Sequence, residues 1–295
     1  MEKAIRIITH NGTFHVDELM AVAALELLFD GKPYEVIRTR DIEVIKTGDY
    51  VVDVGGIYDP ATNRFDHHQH GGAGVRDGVP YSSFGLVWKH YGEEITGSKE
   101  IALGVEHRLV YPVDLADNGV ETYTPLRPNI HPYLLHNLVI AHRPTWKEGS
   151  IYDMRFMELV PLMRKLLERE IITERDNIEG ARLVRAAYES MSDKRIVVLP
   201  GAYPWQYALA EYTEPLYVVK PKHDGANWEV ECVRNDVHSF ANRKTLPESW
   251  RGKFGEGLAA ATGVPDAVFC HNTGFVAVAQ SKEGAMKLAE LARDA

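Results

Sequence analysis

The fold can be worked out from one segment, Thr9-His10-Asn11-Gly12-Thr13-Phe14-His15-Val16-Asp17-Glu18, because it joins two apolar elements of different periodicity. The residues before it form a short apolar run typical of a strand. The residues after it, Leu19–Phe29, contain one polar side chain and predict a helix that is buried on most of its circumference. The same alternation continues through these segments: Ala4–Thr9, Asp17–Phe29, Tyr34–Arg38 and Tyr50–Val54. It predicts βαβ units and a parallel sheet.

Three side chains of this segment are candidate metal ligands. In an open α/β sheet, the loop at the carboxyl end of a strand is where ligands bind. His10, His15 and Asp17 are brought close together there by one tight turn, and Gly12 supplies the backbone freedom. The alternative is an ordinary helix start, with Asp17 or Thr13 as the N-cap and both histidines on the surface.

A second candidate is Asp53, which ends the apolar run Tyr50-Val51-Val52 before Gly55-Gly56. A buried carboxylate without a partner is costly, so Asp53 needs a cation, several backbone donors or a metal ion. The alternative is that it caps the glycine turn, which leaves the nearby histidines unexplained.

The sharpest motif is Arg64-Phe65-Asp66-His67-His68-Gln69-His70. Adjacent histidines can divide labour: one ring binds metal, the other reaches the substrate, and a carboxylate fixes a tautomer. We therefore predict His68 and Asp66 as catalytic residues. The competing interpretation is a polyhistidine-like surface loop.

A fourth motif, Val113-Asp114-Leu115-Ala116-Asp117-Asn118-Gly119, closes a helical run with two carboxylates. Taken alone, its end is an ordinary Asn-Gly turn. With the other motifs upstream, Asp117 becomes a candidate ligand, and Asp114 is the substitute.

The rest of the chain predicts helices followed by a smaller mixed region. Helical patterns cover Ser82–Tyr91, Lys99–Val110, Asn129–Ala141 and Ile151–Met191, the last as one or two long helices. Val/Tyr-rich segments follow at Ile196–Leu199, Tyr207–Glu211, Leu216–Lys220, Trp228–Arg234, Ala267–Cys270 and Phe275–Val278, before a helical Lys282–Arg293. The predicted fold class is α/β: a parallel-sheet domain at 1–150, a helical connector at 151–192 and a smaller α+β domain at 193–295.

Charge and cysteine content limit the function classes. The 295 residues include 33 Lys+Arg and 42 Asp+Glu, a net charge of -9, which argues against coating duplex nucleic acid but leaves a short anionic substrate open. Cys232 and Cys270 each lie in an apolar stretch and predict buried thiols in a reducing compartment. The first residues lack the apolar region of a secretory leader, and no run reaches membrane-spanning length. We expect a cytoplasmic protein with no membrane partner.

The ordered motifs resemble a known superfamily. His-x4-His-x-Asp, a strand-end Asp, Asp-His-His and Asp-Asn-Gly look like those of the DHH phosphoesterases. Within that superfamily, Thr-His-Asn-Gly-Thr-Phe-His-x-Asp-Glu, Phe-Asp-His-His-Gln and a C-terminal His-x-x-Gly-Phe resemble the melanocyte-proliferating-gene family, also known as the metal-dependent protein hydrolase or UPF0160-like family. The resemblance spans nearly the whole chain. It implies a DHH-type metal-binding catalytic domain at 1–150 and a substrate-binding domain at 193–295.

The resemblance also implies two divalent metal ions, Mn²⁺ as the first expectation and Zn²⁺, Co²⁺ or Mg²⁺ as alternatives. The implied ligands are His10, His15 and Asp53 for one ion and Asp17, Asp53, His67 and Asp117 for the other. Asp53 would bridge the ions and His68 would face the substrate. One departure matters: family II pyrophosphatases have an aspartate where this chain has His15, one residue closer to the first histidine. The added imidazole favours Zn²⁺ or Co²⁺.

Substrate contacts are predicted in both domains. The candidates are Arg143, Arg243, His271, Asn272 and Gly274. Around Arg143, the alternative is a helix end with a packed Trp146, and a lone arginine is alternatively a solvated charge. In the resembled family, the C-terminal half is a substrate-binding domain that closes over the metal site.

The function that the resemblance implies is a metal-dependent phosphoester hydrolase. The leading hypothesis is a 3'-5' exonuclease or phosphodiesterase that acts on short single-stranded RNA, other oligonucleotides or a nucleotide, through a hydroxide activated by two metals. The first alternative is a pyrophosphatase or a cyclic-dinucleotide phosphodiesterase. The second is a non-catalytic, metal-stabilised nucleotide-binding protein. The oligomeric state stays open, with a homodimer among the options.

Overall fold

The computed structural model describes residues 3–223 and 225–295. The chain divides into two compact units, Met1–Arg175 and Asp176–Ala295. The boundary lies within one continuous helix, so the stretch predicted as one or two long helices is a single helix. Both units mix helices with a β-sheet, which gives the mixed α/β fold that the sequence predicts. None of the described helices combines the length and the apolarity that crossing a bilayer requires.

The N-terminal unit is built on a five-stranded sheet. In chain order its strands and their intervening helices are β1 (Ile5–Thr9), α1 (Val16–Phe29), β2 (Tyr34–Arg38), α2 (Ile42–Ile45), β3 (Tyr50–Val52), β4 (Tyr58–Asp59) and β5 (Arg64–Phe65). The strand order is β2-β1-β3-β5-β4, and all pairs are parallel except β4 with β5. The predicted parallel sheet is therefore confirmed, with one antiparallel edge strand. The carboxyl ends of β1, β3 and β5 meet at one edge.

Helix α1 is buried on most of its surface, as its composition predicts. Its first ten residues, Val16–Leu25, are all buried, including Asp17 and Glu18. A helix with two carboxylates in a buried first turn is unusual, because buried charges need partners. The start of α1 is therefore the place where the fold prepares a polar site.

Further helices complete the N-terminal unit. A two-stranded ribbon of β6 (Val75–Arg76) and β7 (Val79–Pro80) precedes α3 (Ser83–Thr96), α4 (Lys99–Val105), a π-helical turn (Glu106–Val110), α5 (Tyr111–Asp117), α6 (Leu135–His142) and α7 (Tyr152–Ser190). The prediction of a helix from Asn129 is wrong at its start. Asn129 is in the left-handed region with φ +61°, Pro132 follows, and α6 begins only where the Asn137 side chain accepts a hydrogen bond from the Leu134 amide (2.8 Å).

The C-terminal unit contains a second five-stranded sheet. Its elements are β8 (Ile196–Val198), α8 (Gln206–Ala210), β9 (Tyr217–Pro221), β10 (Trp228–Cys232), α9 (Gly255–Thr262), β11 (Ala267–Cys270), β12 (Val276–Ala279) and α10 (Lys282–Asp294). The order is β11-β12-β10-β9-β8, antiparallel except for β8 with β9. The sequence analysis groups Tyr207–Glu211 with the Val/Tyr-rich segments, but this segment is mainly helical. One helical turn allows the neighbouring side chains of Ala208 and Leu209 both to be buried. Helix α9 was not predicted.

Candidate metal centre

The site begins where β1 ends and α1 starts. His10 follows β1 directly and is buried, and Gly12 has a φ of +82°, which the turn requires. His15 occupies the N-cap of α1, and its backbone N–H donates to both carboxylate oxygens of Glu18, at 2.9 and 3.0 Å. Asp17 and Glu18 therefore lie in the first helical turn, where the positive end of the helix dipole stabilises negative charge.

Asp53 lies at the centre of the site, immediately after β3. Its side chain is buried, and its φ of +57° places the backbone in the left-handed region. One carboxylate oxygen lies 3.3 Å from Nε2 of His10. The other lies 3.5 Å from Nε2 of His67 and 3.4 Å from Nδ1 of His68. Asp53 thus contacts His10, which follows β1, and also the adjacent histidines His67 and His68.

The residues after β5 supply the two adjacent histidines. Nε2 of His67 lies 3.1 Å from a carboxylate oxygen of Asp117 at the end of α5. Nδ1 of His68 lies 2.8 Å from Asp66, whose other oxygen accepts a hydrogen bond from the Gly56 amide at 2.6 Å. The His68 side chain is 61% exposed, whereas His67 is buried. The two rings therefore face different surroundings.

Asp17 is held by the start of α3. Its carboxylate accepts hydrogen bonds from the Ser82 hydroxyl (2.6 Å) and from the backbone amides of Ser83 (3.0 Å) and Phe84 (2.6 Å). It is fully buried, and one oxygen lies 4.0 Å from Nε2 of His67. The N-terminus of α3 thus fixes the orientation of Asp17.

Asp114 and Asp117 have different environments. Asp114 is fully buried, accepts hydrogen bonds from the Ser82 amide (3.1 Å) and pairs with Arg76 (2.8 Å). Burial raises its pKa to about 6, although Ser82 and Arg76 oppose the shift. Asp117 faces His67 instead. Of the two carboxylates, Asp117 is the one placed among the donors of the site.

The donor atoms converge in three groups within residues 3–223 and 225–295, and in each group they lie within 4.8 Å of one another. The groups are His10, His15, Glu18 and Asp53; then Asp53, His67 and His68; then Asp17, His67 and Asp117. Asp53 belongs to the first two groups and His67 to the last two. The clusters are therefore linked, and their nitrogen and carboxylate donors are able to bind metal ions.

The charges of the site fit a bound cation. Burial by itself lowers the pKa values of His10 and His67, but the hydrogen bonds and charges of neighbouring carboxylates outweigh it and raise them to about 10 and about 11. Burial and the charges of Asp53 and Asp117 raise the pKa of Asp17. Nε2 of His67 is buried and faces carboxylate oxygens of Asp117, Asp53 and Asp17 at 3.1, 3.5 and 4.0 Å. A divalent ion would satisfy this nitrogen and compensate the carboxylates.

The sequence predictions and the geometry can be compared residue by residue. The predicted ligands that the structure brings together are His10, His15, Asp17, Asp53, His67 and Asp117. Glu18 is the donor that the sequence reasoning missed as a ligand. Its signal was its place three residues after the N-cap of a helix that is otherwise apolar.

Arg143 lies in the N-terminal unit, just after α6. Its Nε donates to the carbonyl oxygen of Phe14 (2.7 Å), and its guanidinium lies 5.9 Å from the Phe14 ring centroid. The alternative of a packed Trp146 is wrong, because that side chain is 89% exposed. Arg143 is thus fixed against the segment that carries His15.

The C-terminal candidates fall into two groups: Arg243 by itself, and the β11–β12 turn with His271, Asn272 and Gly274. Arg243 donates to the Pro215 carbonyl oxygen (3.0 Å), which ties it to its own unit. His271 and Gly274 form the β11–β12 turn, in which the Gly274 amide donates to the His271 carbonyl oxygen (2.9 Å) and Gly274 has a φ of +69°. Nδ1 of His271 lies 2.9 Å from the Thr273 hydroxyl, and Asn272 is exposed.

A cavity of about 530 Å³ lies beside these residues in the C-terminal unit. Its lining includes Thr273, between the predicted contacts Asn272 and Gly274, and Asn242, next to Arg243, together with Trp205, Glu231, Arg234, Phe240 and Phe275. Phe240 is largely exposed, and the Arg234 guanidinium lies 5.0 Å from its ring centroid. The polar candidates were visible in sequence, whereas the aromatic lining was not.

Comparison with known proteins identifies the family. A family model named MYG1_exonuc and described as "Uncharacterised protein family (UPF0160)" matches residues 6–292, which include all the donors above. The chain belongs to the MYG1 family. The family predicted from the motifs is thereby confirmed.

Three relatives in the MYG1 family are similar to this chain over 83%, 84% and 99% of their own length. The MYG1 exonuclease of Homo sapiens is 32% identical over 322 residues, covering 96% of this chain and 84% of that protein. The MYG1 exonuclease of Bos taurus is 33% identical, covering 96% and 83%. The MYG1 protein of Schizosaccharomyces pombe is 30% identical, covering 100% and 99%.

Proposed function

We propose that this protein is a metal-dependent phosphoester hydrolase that acts as a 3'-5' exonuclease on short single-stranded RNA or oligonucleotides. The observation that carries the proposal is the shared position of Asp53 between two donor groups, as expected for a carboxylate that bridges two ions. The name exonuclease, which the human and bovine relatives carry, supports nucleic acid as the substrate. We include the chain in the DHH phosphoesterase superfamily, with the N-terminal unit as its catalytic domain.

The proposed ligands combine the donor groups: Asp17, His67 and Asp117 form one group, and Asp53 shares another group with His67. His10, His15 and Asp53 would hold one ion, and Asp17, Asp53, His67 and Asp117 the other. A pair of divalent ions supplies an activated water and neutralises the phosphate. Glu18 is a further donor for the first ion, since one of its oxygens lies 3.1 Å from Nε2 of His10. The mixed imidazole and carboxylate donors suit Mn²⁺ first, with Zn²⁺, Co²⁺ or Mg²⁺ as alternatives.

His68 is proposed as the general acid for the leaving oxygen. The hydrogen bond with Asp66 raises the pKa of His68, although burial opposes the shift. The ring therefore tends to carry a proton, and its exposed side chain is accessible to a substrate. Asp66 holds Nδ1, so Nε2 is the atom that would deliver the proton.

Substrate binding is assigned to Arg143 in the N-terminal unit and to Arg243, His271, Asn272 and Gly274 in the C-terminal unit. Arg143 is a fixed guanidinium that can pair with phosphate oxygens. Exposed Phe240 in the C-terminal unit offers a face on which a base can stack. We propose a cytoplasmic location, with no membrane partner.

The deciding experiment measures shortening of a 5'-labelled RNA oligomer by the full chain with Mn²⁺, Mg²⁺, Zn²⁺ or EDTA. Wild type should shorten the RNA stepwise with metal only, and Asp53→Asn should lower the rate by about a thousandfold or more, because it removes the shared negative donor. The matched control is Asp30→Asn. Asp30 is exposed at the end of α1 in the left-handed region, which asparagine tolerates.

Two results would contradict the proposal. One is cleavage that persists in EDTA, and the other is an Asp53→Asn variant that is as active as Asp30→Asn. Shortening from the 5' end would retain the hydrolase and reject the polarity.

A further inference from the structure

A cavity of about 540 Å³ in the N-terminal unit adjoins the candidate metal centre. Asp17 and Asp117, two of the carboxylate donors, form part of its wall, together with His15. Much of the remaining lining is apolar and comes mainly from α5 and α6: Val113, Ala116, Leu135, Val139 and Ile140. Metal binding at this centre does not require the apolar part of the cavity wall. The metal therefore does not explain why the cavity is there.

We propose that this cavity is a nucleoside pocket, which binds the base and ribose of a nucleotide whose phosphate lies at the metal centre. This inference rests on the proposed function and deepens it, because it assigns a specificity pocket to the same site.

The surface properties of the cavity fit a nucleoside better than a purely ionic ligand. Val120 is 44% exposed and Ile140 is 48% exposed, so both leave apolar surface open at the cavity. A planar base buries such surface at a gain of about 25 cal/mol per Å². Pyrophosphate has no apolar part and would leave the apolar wall of the cavity exposed to water.

Polar groups on the same wall can form hydrogen bonds with the edge of a base and with ribose hydroxyls. His136, Thr122 and Glu121 line the cavity and offer both donors and acceptors. Arg143 also lines it, held by its hydrogen bond to the Phe14 carbonyl oxygen. A few fixed polar groups in an apolar wall are typical of small-molecule sites.

One short turn carries both a metal donor and part of the pocket. After Asp117, Gly119 has a φ of +70° and donates to the Ala116 carbonyl oxygen (3.2 Å), and the Val120 amide donates to Leu115 (2.8 Å). The Asn118 side chain donates to the Asp114 carbonyl oxygen (2.8 Å). These bonds fix Val120, part of the pocket wall, relative to the metal donor Asp117.

The test compares binding of AMP and ribose 5-phosphate to the Mn²⁺-loaded full chain by calorimetry. Both ligands carry the same phosphate and sugar, so the ratio of their affinities reports the base. Wild type should bind AMP at least about tenfold more tightly, corresponding to about 1.4 kcal/mol. Ala116→Phe fills the cavity from an exposed helical position and should bring the ratio to within about threefold. Ile140→Asn, which removes apolar wall, should also lower it.

The matched control is Ala141→Phe, an exposed alanine on α6 that does not line the cavity. It should keep the wild-type ratio. Unchanged Mn²⁺ binding in each variant shows that the fold is retained.

The outcomes separate the pocket from the hydrolase. Equal binding of AMP and ribose 5-phosphate by wild type would overturn the pocket, even if RNA is cleaved. An unchanged ratio in both Ala116→Phe and Ile140→Asn would do the same. Base-dependent binding that both variants lower, without cleavage of any RNA, would support the pocket while rejecting the proposed exonuclease.

Discussion

At the scale of single residues, the backbone of Asp53 carries the most information. An L-residue in the left-handed region costs about 1–2 kcal/mol, and aspartate tolerates it better than most. In this backbone conformation, the carboxylate of Asp53 contacts both His10 and His67. Backbone strain of this kind is concentrated at functional sites. A glycine here would relieve the backbone but remove the shared donor.

The two cysteines allow a pH prediction at the same scale. Both are free and buried, and burial raises the pKa of Cys232 to about 12 and that of Cys270 to about 11. A raised thiol pKa means less thiolate at neutral pH, and the thiolate is the nucleophile. At pH 8, native alkylation by iodoacetamide should be roughly a hundredfold slower for Cys270 and roughly a thousandfold slower for Cys232 than for an ordinary thiol. Rates should rise with pH, Cys270 first.

Mass spectrometry of each cysteine peptide measures these rates. The control is the chain in guanidinium chloride, where both thiols should react alike. A native thiol that reacts at pH 8 as fast as it does in denaturant would contradict the prediction.

At the scale of elements, the N-terminus of α3 organises the buried carboxylates. Ser82 caps the helix, and its hydroxyl lies 2.6 Å from oxygens of both Asp17 and Asp114. Gly85 is required one turn later, since a Cβ there would overlap the Asp114 carboxylate. One helix start thus positions a metal donor and packs closely against α5.

Replacing the N-cap Ser82 should lower the free energy of unfolding more than replacing an ordinary N-cap residue. Ser82→Ala and Ser98→Ala are matched, because both serines are N-caps, of α3 and α4 respectively. Loss of a cap costs about 1 kcal/mol. Ser82→Ala should cost about 1–3 kcal/mol more, because it also leaves buried carboxylates with one donor fewer. Urea unfolding measures the two free energies, and equal losses would argue against the organising role of Ser82.

At the scale of the whole molecule, each unit has its own core. In the C-terminal unit, large buried side chains on both sides of the sheet include Tyr217, Trp250 and Leu288 on one side and Trp205 and Leu209 on the other. In the N-terminal unit, α1 packs its apolar surface against the parallel sheet and α3. Among the residues that the structure describes, in contrast, the clustered metal donors all belong to the N-terminal unit.

Metal should therefore stabilise the two units unequally. Binding at about 100 times the dissociation constant stabilises a folded state by about 2.7 kcal/mol. Hydrogen exchange with Mn²⁺, compared with EDTA, should slow at β1, at the start of α1 and at the start of α3, and change little in β9–β12. Asp53→Asn should lose this difference. Equal slowing in both units would contradict the prediction.

Local sequence patterns were sufficient to predict most secondary-structure elements and most of the candidate metal donors. The run from Ala4 to Phe29 predicted a strand, a turn and a buried helix, because periodicity and glycine act over neighbouring residues. His10 and Asp53 each stand at the end of an apolar run, and His67 belongs to a compact Asp-His-His motif, so the sequence alone predicts all three as donors. Local patterns also misled: Tyr207–Glu211 is mainly helical, and α9 was not predicted.

Only the tertiary structure decided which donors meet and what surrounds them. Glu18 joins His10 because the start of α1 is buried, and Asp117 rather than Asp114 faces His67 because Ser82 and Arg76 hold Asp114. The apolar cavity beside Asp17 likewise depends on packing between helices distant in sequence. These contacts depend on how the whole unit packs, because a short-range sequence pattern does not indicate which helix and sheet faces will contact each other.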